Sequence, residues 1–313
     1  MMPSANPLTD TPQFRRMFIW MYFPLGFGAV FIGLLPWIVT GMRLPLQNLW
    51  AINTLPENMP RALLPFSQYQ LPLILAMIIF GMGLAGLAVR AAPPAVWRRA
   101  AFLAAAGALG ACGLAAIQTG AVVLNGLHDG MQSMKYFYSV MAAIVVAVIV
   151  GLLALFLFAL SRPPAASIGA TLAALAMAIW VRALVVLLGS HVESPILQAL
   201  LAVAHWLPAL LVGAVMAWCG IGKVRQAMAW VANLLLLWIV PAALGALSYA
   251  AGSRYLAGDL REMARVGMGV LLNSLGPEGG AHWTLLAALL VAALGTLALR
   301  SKALGSSANP ARN

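Results

Sequence analysis

Acid is scarce in this chain: seven Asp and Glu occur among 313 residues, and none lies inside any of the long apolar runs that make up most of the sequence. Soluble domains keep about a quarter of their residues charged. Here the share is 8%, against 63% hydrophobic. Proton- and cation-coupled transport commonly relies on an embedded carboxylate, so its absence disfavours those mechanisms. Other chemistries lack their groups as well. There is no HExxH run for a metalloprotease, no GxSxG elbow for a serine enzyme, no Walker-type glycine loop for nucleotide hydrolysis, and no aspartate pair to hold magnesium on a diphosphate.

Cysteine and histidine are sparser still, at two and four residues. Cys112 and Cys219 fall in different apolar runs at different depths, which argues against a disulfide and for small packing residues. Of the four histidines, His128, His191 and His282 lie between runs and His205 alone lies within one. A haem held between helices needs two embedded axial ligands, and His191 with Glu193 offers zinc no further ligand at recognisable spacing. No cofactor or metal is therefore expected.

What is present is apolar length. Eight runs, 17–41, 71–89, 100–126, 137–161, 167–190, 197–219, 228–251 and 283–299, are each long enough to cross a hydrocarbon core of about 30 Å as a helix. Continuous rather than alternating hydrophobicity selects helices over a barrel. The expected fold is an all-α polytopic bundle. It comprises a cytoplasmic segment 1–16, one transmembrane domain 17–299, and a short polar tail 300–313 expected to be disordered. The first run is too long for a signal-peptide core and reads as a retained anchor.

Charge sets the orientation. Eleven basic residues, from Arg15 and Arg16 through Arg90, Arg98, Arg99, Arg162, Lys223 and Arg225 to Arg300, Lys302 and Arg312, face the single acid Asp10 on one side. The other side balances six basic residues against six acidic ones. By the positive-inside rule both termini are cytoplasmic, in a plasma or bacterial inner membrane. The net charge of +11 therefore needs no nucleic-acid partner, and no basic run with interleaved aromatics suggests one.

Two segments on the outer side are unusually apolar. Arg43 to Gln70 carries Leu44, Leu46, Leu49, Trp50, Ile52 and Leu55 before Pro56, Pro60 and Pro65, and predicts a short amphipathic helix followed by a turn region. Between Ser253 and Trp283, Leu256, Leu260, Met263, Gly267, Val270 and Leu271 share one helical face opposite Arg254, Arg261 and Arg265. Both helices either rest on the outer leaflet, with Trp50, Tyr69 and Trp283 as anchors, or cap a cavity or dock a partner.

Three polar residues lie at one depth within the runs. Gln118, Arg182 and His205 each sit eight residues in from the outer end, roughly 12 Å down. An embedded arginine with no acid in any run needs a counter-charge from a loop carboxylate such as Glu193 or Asp259, a lipid phosphate, an anionic solute or another subunit. The competing reading is structural: Arg182 snorkels, His205 bonds a neighbouring carbonyl, and Gln118, Thr119 and Asn233 act as interhelical glue.

Three functions fit. The chain is a non-catalytic subunit of a larger envelope complex, contacting other membrane subunits. Alternatively it is a permease for an anionic or amphiphilic solute, with Gln118, Arg182 and His205 lining an outward pocket. In the third, a membrane transferase acts on lipid-linked substrates through His128, Asp129, His191 or Glu193.

Overall fold

The computed structural model describes residues 19–189, 195–253 and 260–307. The expected cytoplasmic segment 1–16, and Arg254 and Leu256 of the second apolar stretch, lie outside the described residues. Regular structure among the described residues is helical, with β-type pairing confined to the isolated bridges Arg43–Arg61 and Trp50–Leu127. The helices are α1 (Tyr22–Gly33), α2 (Leu35–Val39), α3 (Leu71–Arg90), α4 (Trp97–Gly126), α5 (Met131–Leu160), α6 (Pro163–Gly189), α7 (Pro195–Cys219), α8 (Val224–Gly252), α9 (Leu260–Leu275) and α10 (Ala281–Ser307). Seven of them, α3 to α8 and α10, are long and apolar enough to cross a membrane, which makes this a multi-pass membrane protein.

The first expected run is divided rather than continuous. It steps at Leu34 between α1 and α2 because Pro36 has no amide to give the helical ladder. At the other end of the chain, α10 continues to Ser307, past the expected end at 299 and into residues expected to be unstructured.

Packing forms two groups joined by α6. In the first, α3 lies at the centre against α1, α5 and α6, with α4 closing against α1 and α5. In the second, α7 packs on α6 and α10, and α8 packs on α6 and α9. Glycine sets the closest approaches. A Cβ at Gly26 would collide with the Ala104 carbonyl oxygen, and one at Gly107 with that of Phe23, so α1 and α4 meet backbone to backbone. In α3, Gly81, Gly83 and Gly86 contact α1, α6 and α5 in turn, which is why this helix can hold the centre. Gly110 and Gly113 make no comparable contact.

At one end of the bundle Arg90 donates to the carbonyls of Phe158 (2.6 Å) and Ser161 (3.0 Å). Its guanidinium lies within about 6 Å of the rings of Trp97, Phe158 and Trp218. One side chain thus neutralises the carbonyl end of α5 and ties it to α3 and α7.

The opposite end departs from expectation. Residues 43–70 form no amphipathic α-helix: short 3-10 turns at Gln47–Leu49, Pro56–Asn58 and Gln68–Gln70 punctuate an irregular chain. Pro45, Pro56, Pro60 and Pro65 deny it a helical ladder. The apolar residues go inward instead, with Leu44, Met59, Leu64 and Phe66 all at 1% exposure or less. The stretch is a plug packed under α4 and α5.

Non-helical backbone buried among membrane helices must find hydrogen-bond partners from side chains. It does. Leu63 N–H donates to Gln118 Oε1 (2.9 Å), Leu64 N–H to Thr119 Oγ1 (3.0 Å) and Gln68 N–H to the Tyr136 hydroxyl (3.1 Å). Gln118 Nε2 returns a bond to the Arg61 carbonyl at 3.1 Å, and Trp37 Nε1 donates to that of Ala62 at 2.8 Å. The Trp50 ring lies over Gly126, where any side chain would collide with it.

Candidate functional site

A cavity of about 1110 Å³ opens in the second group of helices. From α6 it takes Leu175, Ala178, Ile179 and Arg182, the residues that a 3.6-residue repeat brings to one face. From α7 come Ala204, His205, Trp206 and Pro208, and from α8 Leu237, Trp238, Pro241 and Ser248. The stretch from Ser274 to Thr284, which joins α9 to α10, covers one side with Gly279, Gly280 and Trp283, and Pro72 at the start of α3 touches another. Gly280 adopts a left-handed backbone (φ 69°), which turns the chain into α10 directly beside the cavity.

Two of its helices are interrupted where they face it. Pro208 and Pro241 lack amides, so the carbonyls four residues earlier, on Ala204 and Leu237, lose their helical donors. Both of those residues line the cavity. The lining is otherwise mostly aliphatic and aromatic, with polarity concentrated in the Arg182 guanidinium, the His205 imidazole and the hydroxyls of Ser248, Ser274 and Thr284. The Thr284 hydroxyl is already spent on the Ala281 carbonyl at 2.7 Å. The His205 ring stands edge-on to Trp206, centroids 5.4 Å apart.

No described carboxylate pairs with Arg182. On α9, Arg265 is paired with Glu262 (3.0 Å), one turn away on the same helix. The cavity is therefore apolar and positively charged, with tryptophans to stack on or wall in a guest. It can hold an anionic group at Arg182 beside an apolar body.

The three polar residues expected at one level are separated. Arg182 and His205 share the cavity, whereas Gln118 lies in the first group of helices and holds the 61–64 backbone. His191 and Glu193 lie outside the described residues, as does Asp259. His128 and Asp129 are exposed at the α4–α5 turn, where the His128 ring donates to the Asp129 carbonyl at 2.7 Å, and neither lines the cavity. Among the described residues no cluster of three or more His, Cys, Asp or Glu is placed to hold a metal ion.

Trp206, Trp238, Ser248 and Ser274 are parts of the site that sequence reasoning misses. Only the stripe of Pro241, Gly245 and Ser248 on α8, at helical spacing, signals a helix face that leaves space. Comparisons with family models, curated proteins and solved structures return no match to this chain.

Proposed function

We propose that this protein is a permease-type membrane protein that admits the anionic head of an amphiphile to the cavity and carries it across the bilayer. One observation supports this above all: Arg182, without a described carboxylate partner, faces a 1110 Å³ apolar cavity together with His205. A cation with no carboxylate partner among the described residues, beside so much apolar surface, is costly unless an anion joins it. The cavity's volume slightly exceeds the usual range of about 300–1,000 Å³ for small-molecule sites, which suits a head with an attached apolar body. On that ground the permease stands ahead of the subunit and transferase readings, for which no feature of comparable specificity stands out among the described residues.

The charge pattern supplies the orientation in this reading. Arg90, Arg98, Arg99, Arg162, Lys223, Arg225 and Arg300 cluster at the end opposite the cavity, so that end is cytoplasmic and the cavity opens outward. Counting α1 with α2 as one crossing gives an even number, with both termini inside, in a plasma or bacterial inner membrane. Helix α9 is then an amphipathic cover on the outer face. Met263, Gly267, Val270 and Leu271 face α8 or the bilayer, and Arg261 and Arg265 face water.

The test is binding and flux in proteoliposomes, with a dansyl-labelled medium-chain carboxylate and its phosphate-headed counterpart as probes. Arg182→Gln should abolish saturable binding of both probes, and Arg182→Lys should retain part of it. Equal binding to wild type and Arg182→Gln would refute the assignment. The stronger probe identifies the head group.

A further inference from the structure

Directly beneath the cavity floor lies a second polar place. Asn233 on α8 and Thr171 on α6 are both completely buried, and neither Asn233 Oδ1 nor Thr171 Oγ1 has a hydrogen-bond partner among the described residues. The other end of the Asn233 amide donates to Ser167 Oγ at 3.0 Å, which ties the two helices together at this level. Unmet buried polar atoms are rare in folded chains and call for an explanation, such as an ordered water, an ion or a functional role.

The position of the pair supplies one. Thr171 precedes Leu175 by one helical turn and Asn233 precedes Leu237 by one turn, and Leu175 and Leu237 belong both to the cavity lining and to a buried apolar cluster. Helices α6 and α8 both run towards the cavity end, so the two steps point the same way. From the cavity downward the seam between them reads as charged and open at Arg182, apolar and closed at Leu175 and Leu237, then polar again at Thr171 and Asn233. Thr171 lies about 16 Å along α6 from Arg182.

We infer that this seam is the translocation route for the cavity's ligand, with Leu175 and Leu237 as its closed constriction and Thr171 with Asn233 as a hydrogen-bonding station on the cytoplasmic side. The inference rests on the permease reading and names the path that reading requires. Below the constriction, these two side chains hold the unmet hydrogen-bonding atoms described in the seam. The two free oxygens accept from water or a protonated head, and the Thr171 hydroxyl also donates to an anionic one. Carbon side chains at the constriction keep water and solute out until α6 and α8 move apart.

The test is thiol labelling of the full chain in vesicles, with Cys112 and Cys219 replaced by Ala and sulfonatoethyl methanethiosulfonate, a small anion, applied from the cavity side. Ser248→Cys reports the cavity and Thr171→Cys the station. The thiol introduced at position 248 should react readily. The one at position 171 should react about tenfold or more slowly, since an open state of this kind is a minor one of roughly 0.1–10%. Leu237→Ala or, independently, Leu175→Ala should then accelerate labelling at position 171 without changing it at position 248, whose reactivity also certifies that the variants fold. An unreactive cavity thiol would overturn the cavity reading itself. A reactive cavity thiol with the station thiol silent behind either widened constriction would overturn the route alone, and equal rates at the two positions in the unwidened chain would overturn the constriction.

Discussion

Gln118 accepts the Leu63 amide at 2.9 Å across 55 residues of sequence, and with its other end donates to the Arg61 carbonyl. One side chain thereby satisfies both polarities of a backbone stretch that forms no α-helix. Replacing it with Leu strands the part-buried Leu63 amide, at a cost of about 1–3 kcal/mol, while the exposed Arg61 carbonyl can turn to water. Gln118→Leu should lower the melting temperature in detergent and speed proteolysis between residues 43 and 70, while probe binding in the cavity persists in the fraction that folds. Loss of binding with unchanged melting would place Gln118 in the ligand site and count against this account.

The contact between α1 and α4 leaves no room for a methyl group. Gly107→Ala must drive the helices apart at the Phe23 carbonyl, and overpacking of this kind costs about 1–3 kcal/mol. Gly113→Ala, on the same helix with nothing within 4 Å, should be neutral or stabilising by up to about 1 kcal/mol. Thermal unfolding of the two variants side by side measures the difference, and equal melting temperatures would contradict the close approach.

Arg90 combines two charge-assisted hydrogen bonds with three aromatic faces. Arg90→Ala should destabilise by about 2–4 kcal/mol, within the range for such hydrogen bonds and cation–π contacts together. Arg90→Lys keeps the charge but loses the planar fork, and should fall between. Chemical unfolding that ranked Lys with Arg would reduce the role to charge alone.

Pro208 and Pro241 are expected to trade stability for space. Pro208→Ala and Pro241→Ala each restore a helical hydrogen bond, to the carbonyl of Ala204 or Leu237, and should raise stability by up to about 3 kcal/mol. Tying up those two carbonyls should also weaken probe binding, read in the same proteoliposome assay. Variants that melt lower and bind unchanged would show that the prolines fit the helices without shaping the cavity.

Apolar length and the scarcity of charge make the spanning helices readable, because a bilayer leaves a chain of this composition few alternatives. Arg182 and His205 stand out for the same reason, as polar groups among hydrocarbon. Their company does not. Counting depth along each run puts Gln118 level with them, but depth fixes one coordinate and says nothing about which helices are neighbours. Residues 43–70 are visibly too apolar for a solvated loop, yet hydrophobicity alone does not tell burial in lipid from burial in protein; the prolines that forbid a helix are the better guide. Asn233 has the look of interhelical glue and does bind Ser167, but that its oxygen goes unmet depends on how α6 and α8 align, which no local pattern encodes.

The plug under α4 and α5 also dictates an order of assembly. Its amides leave the ribosome well before Gln118, Thr119 and Tyr136, the side chains that satisfy them. At about 5–20 residues per second, Leu63 waits roughly 3–11 s for its acceptor to be synthesised. Until then the stretch has to stay hydrated or at the lipid headgroups, so its docking is a late event in biogenesis, after the helices that receive it have already been threaded into the membrane.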